Sequence, residues 1–248
     1  MKRILGTAGL FALLAAFSFT NNVSAQCVTG TGTNILLKWD ANGFAFESPS
    51  NPTLNVSPAG NVLTVLASPS LLCGPLAGIP LNDPNNEVVV VLNGLVSGGT
   101  VTAPFGASGT KWTTRYTVGQ FQVIQHTPVV VRGYTVTTVP SPGVALAQYT
   151  VAGTVLLSGP VDSLVTVITK SSFGAINGSF RGGYRVTGGT QRSSFCNGAI
   201  VPGLLNGLWD VVNVPAGYSA HPNGKFDAPD CTTPTRSSTW GKLKSLYR

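Results

Sequence analysis

The sequence predicts an all-β protein with an antiparallel β-sandwich or jelly-roll-like fold. Glycine and proline supply 30 and 17 of the 248 residues, which is more than a helical protein tolerates. The dipeptide Asn-Gly, the strongest two-residue hairpin signal, occurs six times. Before the C-terminal segment, no stretch shows a helical period of useful length. Tight reversals between short apolar runs are typical of antiparallel sheets.

Strand-like runs follow one another along the chain. The run NILLKWDANGFAFE predicts two short extended segments around Asn42-Gly43. NVLTVLA and NEVVVVLNG come next, and the second is so continuously β-branched that we expect both of its faces to be covered. In KWTTRYTV, beginning at Lys111, alternate residues share one face. The later strand-like runs are 121–125, 129–139, 147–157, 161–169, 176–186 and 208–212.

The first 25 residues have the features of a secretory signal peptide. Lys2 and Arg3 precede an apolar run, residues 4–19, and the segment ends in small residues at Ala25. The apolar run is shorter than the roughly 20 residues that a membrane-spanning helix needs, so we expect cleavage after Ala25. No later segment is apolar enough to cross a bilayer. We therefore expect a secreted protein, extracellular or at the cell surface with the periplasm as an alternative, and not an integral membrane protein.

The mature chain divides into one predicted domain and a tail. Residues 26–231 form a single secreted β domain, and residues 232–248 form a polar linker and a basic amphipathic tail. A short helix in the tail would align Trp240, Leu243 and Leu246 on one side. We expect this side to dock on the domain. The alternative is that export or assembly machinery, or an anionic surface, recognises the tail.

The net charge of +7 does not belong to the domain. Removal of Lys2 and Arg3 leaves 13 basic and 8 acidic residues, and four of the basic residues lie in the tail. The body of the protein is therefore close to neutral. We predict no basic stripe for a phosphate backbone to follow, and so no nucleic-acid partner.

The four cysteines predict two disulfides, because an even number in a secreted chain is typical of a disulfide framework. They are Cys27, Cys73, Cys196 and Cys231. Three pairings are open. We favour Cys27 with Cys73 and Cys196 with Cys231, because a long stretch of chain separates the two groups. A zinc site would need closer ligand pairs than these, since the nearest two cysteines are 35 positions apart.

The sequence carries no recognisable catalytic set. The motifs G-x-S-x-G and H-E-x-x-H are both absent. His126 ends an apparent strand without a partner nearby in sequence, so we expect a surface or edge histidine. Most carboxylates lie beside Gly, Asn or Pro, where they usually stabilise turns. We expect neither enzymatic activity nor a cofactor, and a secreted hydrolase is the weakest alternative.

The stretch GYSAHPNGKFDAPDC, residues 217–231, combines histidine, Asn-Gly, two aspartates and a cysteine. We interpret it as a turn, because proline directly before Asn223-Gly224 favours chain reversal. A calcium loop with Asn223, Asp227 and Asp230 as ligands is the alternative. That loop would place Ser219 and His221 where calcium favours acidic oxygen ligands. We therefore expect no calcium.

Three tryptophans are candidate ligand platforms. Trp39, Trp112 and Trp209 each lie beside a polar or charged residue on a strand-like run, so an outward ring there would stack on a sugar. Burial in the core is the expected alternative. The sequence thus predicts a secreted protein with a structural or adhesive role at the cell surface, or alternatively a carbohydrate-binding module. The expected partners are surface glycans or other cell-surface proteins.

Overall fold

The computed structural model of the chain describes residues 35–40, 42–49, 55–81, 83–131 and 133–228. They form mostly antiparallel β-structure with one short α-helix, so the predicted all-β, sandwich-like fold is confirmed. The predicted signal peptide and the C-terminal tail lie outside the described residues, as do Cys27, Asp230 and Cys231.

Eleven strands make up the sheet in the described part of the chain. In chain order they are β1 (Ile35–Trp39), β2 (Gly43–Ser48), β3 (Val62–Ala67), β4 (Leu71–Leu72), β5 (Glu87–Phe105), β6 (Gly109–Tyr116), β7 (Gly119–His126), β8 (Thr154–Lys170), β9 (Ile176–Arg185), β10 (Pro202–Asp210) and β11 (His221–Asp227). The α-helix, α1 (Pro142–Tyr149), lies between β7 and β8.

The strands form one coiled sheet in the order β2-β3-β5-β6-β8-β9-β10-β11-β1-β4. β6 and β7 follow each other along the same edge of β5, where β7 pairs with residues 87–93 and β6 with residues 97–105. β8 pairs with both strands in the same way. The long strands β5 and β8 therefore run past both β6 and β7.

The sheet folds back on itself where β2 approaches β11. Ala45 N donates to Ala220 O at 3.0 Å, and Ser219 N donates to Ala45 O at 2.8 Å. Ala220 directly precedes β11. Inward side chains from distant strands consequently share one core, in which Phe121 packs edge-on against Tyr184 with ring centroids 5.4 Å apart.

A second apolar cluster lies between α1 and the sheet. Ala145 and Tyr149 of α1 belong to the same buried cluster as Val89 and Val91 of β5, whereas the alternate β5 residues, such as Val90, belong to the main core. The predicted coverage of both faces of this strand is therefore confirmed.

The helix α1 occupies part of a run that the sequence predicts as a strand. The predicted strand 147–157 begins inside α1, and β8 starts only at Thr154. Pro142 at the first helical turn supplies a favourable φ angle for a helix, and Ala145 and Tyr149 are one turn apart on its buried side. Within the described residues, no helix is both long enough and apolar enough to span a membrane.

The predicted strand 129–139 was also wrong. The backbone N–H groups of Val130 and Val131 donate to the Glu87 carboxylate and so do not join a strand ladder. Further along, Val139 N donates to Thr135 O at 2.9 Å in a turn. Once a buried carboxylate takes these donors, β-branched composition alone does not produce a strand.

The Asn-Gly pairs do not form the predicted two-residue hairpins. Asn42-Gly43 lies at the start of β2, but β1 and β2 pair with other strands and not with each other. Asn197-Gly198 lies in a short 3₁₀ turn. The other four pairs lie inside β5, β9, β10 and β11. The stretch 217–231 therefore contains the strand β11 where the sequence predicts a turn at Asn223-Gly224.

Candidate functional site

An open depression lies on the exposed face of four neighbouring strands, β9, β10, β11 and β1. The backbone around Gly207 and Gly224, which are register partners on β10 and β11, forms its floor. The same cross-strand row continues to Phe180 on β9 and to Trp39 on β1. Two small residues thus stand between two large aromatic ones.

On the inner side of the sheet, the aromatic rings fill the space beneath the two glycines. A Cβ atom on Gly207 would lie 2.0 Å from Asn223 O and 2.7 Å from Phe180 Cε1. A Cβ atom on Gly224 would lie 2.5 Å from Phe180 Cζ and 2.7 Å from Trp39 Cζ2. Glycine is therefore required in mid-strand by the neighbouring side chains and backbone, not by a turn.

On the outer side, residues flanking this row line a depression of about 550 Å³. β9 contributes Ser179 and Arg181, β10 contributes Asn206 and Leu208, β11 contributes Asn223 and Lys225, and β1 contributes Lys38, with Asp40 directly after the strand. Most of these side chains are polar, and the Leu208 side chain is exposed. The lining thus offers hydrogen-bond donors, acceptors and a small apolar surface.

Two lysines face each other across β1 and β11 in this lining. Lys38 and Lys225 are register partners. Each forms an ion pair with an aspartate two residues further along the chain, Lys38 with Asp40 at 2.8 Å and Lys225 with Asp227 at 2.6 Å. The hydrogen bond from Lys38, together with one from Ser70, lowers the pKa of the Asp40 carboxyl. These carboxylates reduce the repulsion that two directly opposed cations would otherwise exert.

Two of the three candidate platform tryptophans belong to the core. The exposed fraction of Trp39 is 0%, that of Trp209 is 4%, and Trp112 is half-buried. Trp39 Nε1 donates to Pro222 O at 3.2 Å. Trp39 and Trp209 therefore offer no ring face to a ligand, and their expected burial is confirmed.

The calcium candidates do not converge in the described part of the chain. Asn223 and Asp227 lie on β11, and four residues of extended strand separate them by about 13 Å. The Asp227 carboxylate accepts a hydrogen bond from Asn206 Nδ2 at 2.6 Å and pairs with Lys225. Among the described residues, no cluster of three or more His, Cys, Asp or Glu side chains is placed to hold a metal ion.

Of the four cysteines, the structure describes Cys73 and Cys196, and neither is a free thiol. Cys73 follows β4, and its backbone N–H donates to Leu36 O near the start of β1. Cys196 precedes β10, which begins beside the end of β11 because Leu204 pairs with Asp227. The pairing itself stays a prediction, since Cys27 and Cys231 lie outside the described residues.

His126 is not the surface or edge histidine that the sequence predicts. It is 1% exposed, and its Nδ1 lies 3.2 Å from Glu87 Oε1, a partner 39 positions away in sequence. The same Glu87 oxygen accepts the N–H groups of Val130 and Val131. Because the pair is buried and Glu87 holds a loop, its geometry is that of a structural anchor rather than of a reactive site.

A second buried carboxylate, Glu47, ties β2 to β6 and to the segment before β3. Tyr116 Oη and Ser57 Oγ each donate to Glu47 at 2.7 Å, and Asn61 Nδ2 donates at 2.9 Å. Burial, followed by the charge of Glu47, raises the pKa of the Tyr116 hydroxyl. This network is also enclosed, which leaves the depression on the open face as the best candidate site.

The sequence analysis did not identify the residues of that face, although a signal for them exists. The strings Lys38-Trp39-Asp40 and Lys225-Phe226-Asp227 share the pattern lysine, aromatic, aspartate. On a strand, this alternation places the aromatic ring on one face and both charged residues on the opposite face. Their direct opposition depends on the register of β1 with β11, which a single strand does not reveal.

The fold and the site together define an antiparallel β-protein with an open, mostly polar depression on one face of its sheet. Comparison with protein-family models, with curated proteins and with solved structures finds no match for this chain.

Proposed function

We propose that this chain is a secreted protein with a structural or adhesive role at the cell surface, and that it holds glycans on the open face of β9, β10, β11 and β1. The observation that carries the proposal is the depression over Gly207 and Gly224. Its volume of about 550 Å³ is within the range typical of small-ligand sites, roughly 300–1,000 Å³.

The lining favours a ligand rich in hydroxyl groups. Ser179, Asn206 and Asn223 carry hydroxyl and amide groups that exchange hydrogen bonds with sugar hydroxyls. Leu208, with 59% of its surface exposed, supplies an apolar contact for the C–H face of a sugar ring. The depression is shallow and open, which suits a chain that passes across the face better than a small molecule that must be enclosed.

The same geometry favours binding over hydrolysis. A glycosidase needs two carboxyl groups within about 10 Å of each other across the scissile bond. Asp40 lies opposite Asn223 on β11, so Asp227, four residues beyond Asn223, is about 13 Å further along the strand. Both carboxylates are also paired with lysines. This supports a non-enzymatic protein and keeps carbohydrate binding as the means of adhesion.

Secretion belongs to the proposal. It rests on the signal-peptide features of residues 1–25 and on the predicted disulfides, and Cys73 lies next to β1, as the favoured pairing with Cys27 requires. The tail, residues 232–248, docks on the domain or serves as an address in this scheme.

The proposal is tested by screening the full chain, secreted from its native signal sequence, against an array of neutral and acidic cell-surface glycans. Ser179→Trp places a large side chain in the depression and should abolish binding. Val101→Trp is the matched control, because Val101 is 69% exposed on the same face of the sheet but three strands away from Ser179. Binding that survives Ser179→Trp, or the absence of any glycan ligand, would contradict the proposal.

A further inference from the structure

Four cations form a single row across the open face of the sheet. Arg115 on β6, Arg181 on β9, Lys225 on β11 and Lys38 on β1 are connected by consecutive register partners, with Val165 and Asn206 as the intervening positions. The residues next to the row along each strand, such as Thr114 and Thr166, are buried. The row therefore lies on the outer face. It crosses six strands and is about 24 Å long, at roughly 4.8 Å per strand.

The charge along this row is uneven. Lys38 and Lys225 are partly neutralised by Asp40 and Asp227. Arg115 and Arg181 form no ion pair in the part of the chain that the structure describes. The row therefore carries a net positive charge although the domain as a whole is close to neutral. The sequence analysis, which considered the charge of the domain as a whole, did not identify this short row, because it depends on the register of the strands.

We infer that the ligand of the proposed face is a linear acidic polysaccharide that lies along this row, perpendicular to the strands. The inference rests on the proposed function and specifies its ligand class. Arg115 and Arg181 are two strands apart, and so are Arg181 and Lys225, which spaces these three cations by about 10 Å. A polymer whose carboxylates recur at a similar interval contacts them in turn.

The side chains of the row match the groups of such a polymer. Arginine binds carboxylates through two parallel hydrogen bonds, which are stronger and more directional than neutral ones. Between the cations, Asn206 offers an amide to hydroxyl groups, and Leu208 lies two residues further along β10 in the depression. The row passes through the depression at Arg181, Asn206, Lys225 and Lys38, so the two features form one continuous surface.

A nucleic acid fits the row less well. Duplex DNA carries one charge per about 1.7 Å, far denser than four cations of which two are paired. Single strands are usually bound by aromatic rings that stack on the bases, but Trp39 and Phe180 are buried beneath the floor of this face. A polymer with sparse charges and many hydroxyl groups is the better match.

The experiment measures affinities of the full secreted chain for polygalacturonate, alginate and hyaluronan. The comparison ligands are methyl-esterified polygalacturonate, which keeps the backbone and loses the charge, and single-stranded DNA. We expect binding of at least one acidic polymer, weak binding of the ester, and an affinity that falls with salt. Arg181→Glu should weaken binding by about tenfold or more, since each lost charge-assisted contact is worth that factor.

Lys170→Glu is the matched control, because Lys170 is an exposed cation at the end of β8, outside the row, and the substitution changes net charge by the same amount. The affinity of the Lys170→Glu variant for the acidic polymer should stay within about twofold of that of the unsubstituted chain. One outcome would overturn this inference and leave the proposed function intact. In that outcome the charged and the esterified polymer bind equally well, Ser179→Trp abolishes the binding and Arg181→Glu does not affect it. Tighter binding of DNA than of every acidic polysaccharide would also overturn it. Failure of all polymers and all arrayed glycans would overturn both.

Discussion

The indole of Trp39 and the ring of Phe180 are stacked, with an interplanar angle of 20° and centroids 6.2 Å apart. Two strands, β10 and β11, lie between the strands that carry them. The two rings meet beneath Gly207 and Gly224, where any other residue would place a side chain. This contact connects the core to the open face, since the same pair of glycines forms the floor of the depression.

The first prediction concerns this glycine pair. Gly207→Ala and Gly224→Ala should each lower the free energy of unfolding by about 1–3 kcal/mol or more, because the added methyl group overpacks a filled core and approaches backbone oxygens. Urea denaturation measures the loss. Gly143→Ala is the control: nothing lies within 4 Å of its Cβ position, and alanine is the better helix former in α1.

Stability that is unchanged in both strand variants would show that the aromatic pair moves freely to accommodate a methyl group. The open face would then have no fixed floor. A matching loss in Gly143→Ala would show that the effect is not specific to the strand positions.

The glycine pair also shows where sequence reasoning fails. Asn206-Gly207 and Asn223-Gly224 have the local signature of tight turns, but in the fold their glycines relieve contacts with Phe180 and Trp39. The turn preference of Asn-Gly contributes little free energy, whereas burial of two large aromatic rings contributes much more. The alternation that predicts an all-β fold survives, because it reflects the same burial in every strand.

The candidate site was less accessible to prediction than the fold. The opposition of Lys38 and Lys225 depends on register between strands about 190 positions apart in sequence, and no local pattern encodes it. The contact between His126 and Glu87 is hidden for the same reason. Trp39 and Trp209, by contrast, follow the general tendency of strand aromatics to be buried, and that expectation was confirmed.

A second prediction tests the buried anchor. Glu87→Ala should lower the free energy of unfolding by about 3 kcal/mol or more, because His126 and the N–H groups of Val130 and Val131 lose a buried acceptor. Chemical denaturation measures this effect. Hydrogen exchange at Val130 and Val131 should accelerate as well, since these amides would no longer be held.

Asp162→Ala is the control for the loss of a carboxylate. Asp162 accepts a hydrogen bond from Arg185 Nε at 3.0 Å, but both side chains are exposed, so water replaces the lost contact. Its unfolding curve should almost overlay that of the unsubstituted chain. A Glu87→Ala protein as stable as the Asp162→Ala protein would refute the structural role of the buried pair.

A third prediction concerns alkaline pH. Burial raises the pKa of Tyr149 to about 12, and burial also raises the pKa values of Tyr116 and Tyr184, with Glu47 and Asp227 as the next causes. All three have an ordinary pKa of 10.0. Above that pH the unfolded chain releases these protons and the folded chain keeps them. The stability they confer is therefore complete below pH 10 and is lost as pH rises towards the folded pKa values.

The slope of that loss is measurable. Each of the three tyrosines should contribute a decrease of about 1.4 kcal/mol per pH unit between its unfolded and folded pKa values. Urea denaturation between about pH 9 and 11.5 gives the slope, and phenolate absorbance reports ionisation in the folded state. Tyr149→Phe should reduce the slope by the contribution of one tyrosine, about 1.4 kcal/mol per pH unit. Phenolate absorbance that rises near pH 10 for all tyrosines without unfolding would contradict the burial argument.

The last prediction is the disulfide pairing. Cys231 lies four residues beyond Asp227, the end of β11, and Leu204 near the start of β10 pairs with Asp227. Cys196 precedes β10 in the chain. Cys73 lies beside Leu36, and Cys27 is nine residues upstream of Leu36.

Non-reducing intact mass should show no free thiol, and peptide mapping should join Cys27 to Cys73 and Cys196 to Cys231. Replacing Cys196 and Cys231 together by alanine should cost about 2–5 kcal/mol of stability. A peptide that joins Cys73 to Cys231 would disprove this pairing, and a similar loss from the double variant under reducing conditions would show that the thiols matter only for packing.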